Sequence, residues 1–343
     1  VIAVVVTQYG RNLATAAAVM LERNLRWLGH DVRLYATQAT AYPVGHDTDN
    51  ALRLVSLPQL ARSNFSAVFV CGPVPDAFLY DTFDRLRVIV VVTDHAYLEQ
   101  RPAGLGAAAA VLCFDQLTQE IAADHTEQGP VCFIPFMTAL PITGKSPAGA
   151  PLRVLFPLAW QLTAQLEITA IDVILRAAQR PGVRVAVMAD SRDLTGRARY
   201  LLQKNRIAVI KRPRYDRWPL LFNGHDLVAC LAVADTVGVM PAVGLTCGSA
   251  VLSVDTPVVR SQEMVIHDSL FPGGGHWRYT KAGQVVVTPH YAEFEDRLHG
   301  LLDTPERLIA AGDSAAAAMR DSGIAGRAVL HSLVTEDGAG DDQ

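Results

Sequence analysis

Short β-branched apolar runs alternate with longer segments of helical period along almost the whole chain. In the first half, Val1–Gln8, Asp31–Ala36, Ala67–Cys71, Val88–Thr93, Val111–Phe114 and Val131–Phe136 are near-continuously apolar. That is the pattern of parallel strands covered on both faces. Between the first two, Leu13, Ala17, Met20, Leu21, Leu25 and Leu28 recur at helical spacing, and Gly29 stops the pattern. Strand, helix and strand joined by short turns open a doubly wound α/β sheet.

Thr138–Pro151 interrupts the alternation with Pro, Gly, Ser and Thr and no hydrophobic period, which reads as a linker. Beyond it the pattern predicts strands at Leu152–Leu158, Val183–Ala189, Ile207–Lys211, Leu227–Leu231, Ala250–Asp255 and Gln284–Thr288. Helices are predicted near Gln165–Ala178, Arg192–Lys204, Pro241–Cys247 and Ala292–Leu302, and again from Pro305. The expected organisation is a first domain over 1–140, a linker over 141–151 and a second domain over 152–315. A helix over 316–335 then returns to the first domain, and an acidic tail over 336–343 is disordered. In such folds ligands sit outside the carboxyl ends of the strands, so the loops there are where chemistry is expected.

Composition narrows the function classes. The 343 residues suit two domains with separate cores. A formal net charge of −4 speaks against an obligate polyanion binder. Cys71, Cys113, Cys132, Cys230 and Cys247 lie in or beside apolar runs with no C-x-x-C pair, so they read as reduced thiols in a cytoplasmic protein. No run approaches the roughly 18–20 apolar residues of a membrane span. The N-terminus opens on Val1–Val6, a strand pattern without the flanks of a signal peptide.

The order of segments resembles the GT-B glycosyltransferases, in particular the group-1 retaining enzymes. In the first half the likeness rests on Trp27–Val32, Thr93-Asp94-His95 and Val131–Pro135. In the second half it rests on His225–Leu231, Asp235–Pro241, Leu245–Leu252 and Ala282–Pro289, followed by the helix ending Leu301–Glu306. The resemblance implies two Rossmann-like domains facing across a cleft, with the donor held by the second. It also implies transfer of a sugar from a nucleotide-diphosphate donor to an acceptor hydroxyl, with retention, and no metal or other cofactor. The chain departs from that family at two places. The second of the two donor-loop glutamates falls on Val243, and no Arg–Lys pair follows the first strand of the second domain, where Leu155–Leu162 carries no cation.

Candidate site residues follow from strand-end position and from this resemblance. Asp235, with Thr236, Val237, Gly238, Val239 and Met240, forms the donor loop. Its glycine admits close approach, and its helix N-terminus presents free amides to phosphate or sugar oxygens. Asp235 is expected to orient the sugar, so Asp235→Ala should lower donor binding more than stability; the alternative is a helix cap. Gly10 and Arg11 occupy the small-residue loop after the first strand, where Arg11 supplies a cation. Lys211 and Arg212 begin a basic run, Lys211–Trp218, that replaces the missing pair, with Tyr215 or Trp218 free to stack on a base. Asp190 reads either as a donor contact or as the cap of a helix beginning near Arg192. Asp94 and His95 form an acid–base pair able to take a proton from an acceptor hydroxyl. Phe271–Tyr279, with three glycines, reads as a mobile flap. The expected partners are a nucleotide sugar and an unidentified hydroxyl acceptor, a modified nucleic-acid base among the options. The alternatives are a silent GT-B protein or partner subunit, and a sugar-nucleotide epimerase.

Overall fold

The computed structural model describes residues 1–9, 13–39, 53–54, 56, 59–60, 62–73, 86–99, 105–127, 129–138, 140, 151–158, 164–190, 194–213, 217–280 and 285–335. Gly10, Arg11, most of the linker, Tyr215 and the acidic tail therefore lie outside the described residues. The chain divides into two compact units, 1–139 with 280–285 and 322–343, and 140–279 with 286–321.

The first unit carries β1 (Ile2–Tyr9), β2 (Val32–Ala39), β3 (Arg53–Leu54), β4 (Ala67–Cys71), β5 (Val88–Val91), β6 (Ala110–Cys113) and β7 (Val131–Phe133). All pair in parallel, in the order β3-β2-β1-β4-β5-β6-β7. The continuous apolar runs are explained by burial: every residue of β4, β5 and β6 is buried. Helices α1 (Leu13–Trp27), α2 (His95–Glu99) and α3 (Gln116–Ala123) accompany this sheet. Helix α1 ends as its sequence dictates. Gly29 turns left-handed at φ +89, its amide donates to the Arg26 carbonyl (2.9 Å), and the His30 amide donates to Leu25 (3.2 Å).

The second unit repeats the plan with β8 (Leu152–Pro157), β9 (Val183–Met188), β10 (Ala208–Ile210), β11 (Leu227–Cys230), β12 (Ala250–Val254) and β13 (Leu270–Gly273), in the order β10-β9-β8-β11-β12-β13. Its helices are α4 (Ala164–Ala178), α5 (Gly196–Lys204), α6 (Trp218–Phe222), α7 (Val239–Thr246), α8 (Pro257–Glu263) and α9 (Tyr291–Leu302). Helix α10 (Pro305–Thr335) contributes its residues from Ser322 onward to the first unit. There the Ser322 hydroxyl donates to the Phe136 carbonyl at 2.8 Å, and a Cβ at Gly326 would stand 2.4 Å from Met137 Cγ. In both sheets the first and fourth strands are adjacent, β1 beside β4 and β8 beside β11. The strand order reverses there, which makes the carboxyl ends of those strands the topological switch points.

The sequence pattern missed β13, β14 (Gly275–Tyr279), which pairs with β15 (Val285–Pro289), and the short helices α2, α3, α6 and α8. Pro272 disguises β13, and the disguise has a reason: β13 is the last strand of its sheet, where proline is tolerated. The flap expectation for Phe271–Tyr279 is corrected by packing. A Cβ on Gly274, which sits at φ +67, would fall 2.4 Å from Phe294 Cβ and 2.6 Å from the His290 carbonyl. A Cβ on Gly275 would fall 2.5 Å from the Asp255 carbonyl. These glycines are present because there is no room for anything larger. Gly274→Ala is expected to cost roughly 2–5 kcal/mol, from left-handed strain and overpacking. Denaturant unfolding measures it, and a cost below about 1 kcal/mol, within the range of an ordinary surface change, would restore the flap.

Candidate functional site

The loop after β11 runs to the left-handed Gly238 (φ 71, ψ 35), which begins α7. Asp235 is 8% exposed and folds its carboxylate back onto this loop. Oδ1 accepts from the amides of Gly238 (2.8 Å) and Val239 (3.1 Å), and Oδ2 accepts from Met240 (3.1 Å). Burial pushes its carboxyl up, opposed by the amides of Met240, Val239, Gly238 and Val237. The expected sugar contact is thereby corrected: Asp235 shapes and caps its own loop. The Val237–Met240 amides expected to meet phosphate donate to it instead. Helix α7 behind the loop is buried from Met240 to Thr246, as an all-apolar helix should be. Val243, at the second glutamate position, is 1% exposed. A Cβ on Gly244 would meet Val251 Cγ2 at 2.8 Å, so α7 lies tight on the sheet.

Two loops away, Arg212 donates from Nη2 to Asp190 Oδ2 at 3.2 Å, and the two side chains are only 5% and 9% exposed. Both residues follow strands, β10 and β9, at the carboxyl edge. Asp190 does not cap the next helix. Helix α5 starts at Gly196, with Thr195 as its cap accepting from Ala198 N. Lys211 beside the pair is exposed. Trp218 is not a stacking platform: it is 4% exposed, lies 5.9 Å from the Phe222 ring and donates Nε1–H to the Pro213 carbonyl at 3.1 Å. Its side chain instead ties the basic loop to α6.

In the first unit, His95 opens α2 just beyond the carboxyl end of β5, and Asp115 follows β6. His95 Nε2 lies 3.2 Å from Asp115 Oδ2. Asp115 is the N-cap of α3: Oδ1 accepts from Thr118 N (2.7 Å), and Oδ2 accepts from Thr118 Oγ1 (2.6 Å). Asp94, the carboxylate chosen from sequence, is exposed. Sequence reasoning overlooked Asp115, although Asp115-x-x-Thr118 after an apolar run is a helix-start signal. Among the described residues, no three His, Cys, Asp or Glu side chains are grouped to hold a metal ion. No described helix is long and apolar enough to cross a membrane.

No protein-family model matches the sequence, and no curated protein matches it. Solved structures do. HepE from Anabaena, solved in complex with UDP-glucose, is 13% identical with a TM-score of 0.67 over 98% of each chain. Sucrose-phosphate synthase from Thermosynechococcus elongatus is 12% identical with a TM-score of 0.66 over 98% of each chain. A putative UDP-N-acetylglucosamine 2-epimerase from Listeria monocytogenes is 11% identical with a TM-score of 0.64, covering 100% of this chain and 98% of its own. The chain has the GT-B fold: two α/β units, each built on its own parallel sheet.

Proposed function

We propose that this GT-B-fold chain transfers a sugar from a nucleotide-diphosphate donor to an acceptor hydroxyl, with the second unit holding the donor. One observation carries the reading. Around the switch point of the second sheet, a single edge gathers the Asp190–Arg212 pair, Lys211 and the Asp235–Met240 loop. Ligands of doubly wound sheets bind at that edge, and HepE, with the same fold, was solved with UDP-glucose. In this reading Lys211 supplies charge to the diphosphate, joined by Arg11 and the Gly10 turn of the first unit. Thr236 lines the sugar, and the buried Asp190–Arg212 pair frames the nucleotide. The chemical task is stabilisation of the departing diphosphate. No metal is required for it.

A second reading has its own support. The Val237–Met240 amides are committed to Asp235, Arg212 is committed to Asp190, and Val243 is in the core. These are the features of a GT-B protein that has given up donor chemistry and serves as a partner subunit.

A thermal-shift screen of UDP-, GDP- and ADP-sugars separates the two readings. Transfer predicts that one nucleotide class raises the melting temperature, and the silent subunit predicts that none does. Product analysis of the stabilising donor without any acceptor then tests transfer against epimerisation. Rapid formation of an epimerised sugar would replace transfer with the epimerase alternative.

A further inference from the structure

We propose that Asp115 is a positioning residue that makes His95 the general base of the transfer, and that the transfer inverts the anomeric configuration. This rests on the glycosyltransferase reading above. It reverses the retention that the family resemblance implies.

The hydrogen-bond inventory around Asp115 determines the tautomer of His95. An ionised carboxylate accepts and cannot donate. Oδ1 is occupied by Thr118 N at 2.7 Å, and Oδ2 already takes the Thr118 hydroxyl at 2.6 Å. The 3.2 Å approach of His95 Nε2 to the same Oδ2 is therefore a bond in which the ring donates. A neutral imidazole that carries its proton on Nε2 has a bare lone pair on Nδ1, the form in which histidine acts as a base. Asp115 is itself immobile. Its side chain is 2% exposed, and the first turn of α3 holds both its oxygens. His95 keeps 11% of its side chain exposed, in a loop at the carboxyl edge of the first sheet. Base, orienting carboxylate and anchor are thus built into two adjacent strand ends, the arrangement by which a third group aims a catalytic base.

The step balances without a cofactor. The acceptor hydroxyl oxygen forms its bond to the anomeric carbon as that carbon's bond to the diphosphate oxygen breaks. The electron pair leaves with the diphosphate, and the hydroxyl proton passes to His95 Nδ1. A base that takes the acceptor proton serves a single in-line displacement, so the product has the opposite anomeric configuration from the donor.

Asp115→Asn separates positioning from structure. Asparagine caps helices as well as aspartate does, so α3 and the melting temperature should hold. With its amide oxygen kept by Thr118 N, the asparagine turns an N–H toward His95 Nε2 and forces the ring proton onto Nδ1. In ¹⁵N-labelled protein, the ring nitrogens of His95 should report the Nε2–H tautomer in the parent and the Nδ1–H tautomer in Asp115→Asn. With a donor that turns over, kcat should fall about 100-fold or more in Asp115→Asn, the range of a lost general base, while KM stays within about twofold. Asp115→Ser, which keeps a capping oxygen but is too short to reach the ring, should show the same loss. Proton NMR of the product should show inversion. An Nδ1–H tautomer in the parent, an unchanged kcat in both variants, or a retained anomeric centre would overturn the proposal. If the parent transfers no sugar from any donor, the glycosyltransferase reading fails and the base role fails with it. The tautomer measurement still decides whether Asp115 positions His95.

Discussion

Arg212→Ala is expected to cost the second unit roughly 3–5 kcal/mol, the range for removing one partner of a buried ion pair. The guanidinium and the Asp190 carboxylate are 3.2 Å apart, with 5% and 9% of their side chains exposed. Alanine at 212 would leave the Asp190 charge buried beside the end of β9. The double variant Arg212→Met with Asp190→Leu should recover most of that loss, because it removes both charges and keeps the volume. Denaturant unfolding of the two variants measures the difference. A cost below about 1 kcal/mol for Arg212→Ala, the value of an exposed pair, would mean that Arg212 is free for a ligand, as its sequence position suggested. Any loss of nucleotide binding in Arg212→Ala must therefore be compared per folded molecule.

Asp235→Ala is the second large effect. The change removes the acceptor for three loop amides at 2.8–3.1 Å. A lost cap and buried amides without a partner together cost about 2–4 kcal/mol. For a unit of this size, that lowers the melting temperature by roughly 4–16 °C. The pH dependence has a definite sign. Burial raises the Asp235 carboxyl more than the amides lower it, so the folded state holds this proton more tightly than the unfolded chain. The site's contribution is fully present at low pH and falls as pH rises through the carboxylate range. Asp235→Asn should lose that slope. Melting curves between mildly acidic and neutral pH check both points. An Asp235→Ala variant that melts with the parent but binds donor poorly would return Asp235 to a ligand-contacting role.

The strands were legible because burial on both faces writes itself as unbroken apolar runs. Val4-Val5-Val6 and Val228-Ala229-Cys230 carry that signal. Strand β13 and helix α6 were not legible, because Pro272 and Pro219 are turn-like in composition, and only position in the sheet or at a helix start accommodates them. The site was legible as strand ends but not as partnerships. Asp235, Asp190 and His95 are all described at carboxyl-edge loops. What each one bonds to depends on residues 3–22 positions away, as in Asp190 with Arg212 and His95 with Asp115. Strand-end reasoning finds polar residues where ligands bind, and the same loops must also satisfy their own amides and charges. For Asp235 that second requirement accounts for the whole carboxylate.

The central claim is that the second unit binds a nucleoside diphosphate. Calorimetric titration of the parent chain with UDP, GDP and ADP tests it most directly. The account predicts saturable one-to-one binding of one of the three, weakened when Lys211 is replaced by alanine. Absence of binding by all three would contradict it and leave the silent partner subunit as the function of this fold.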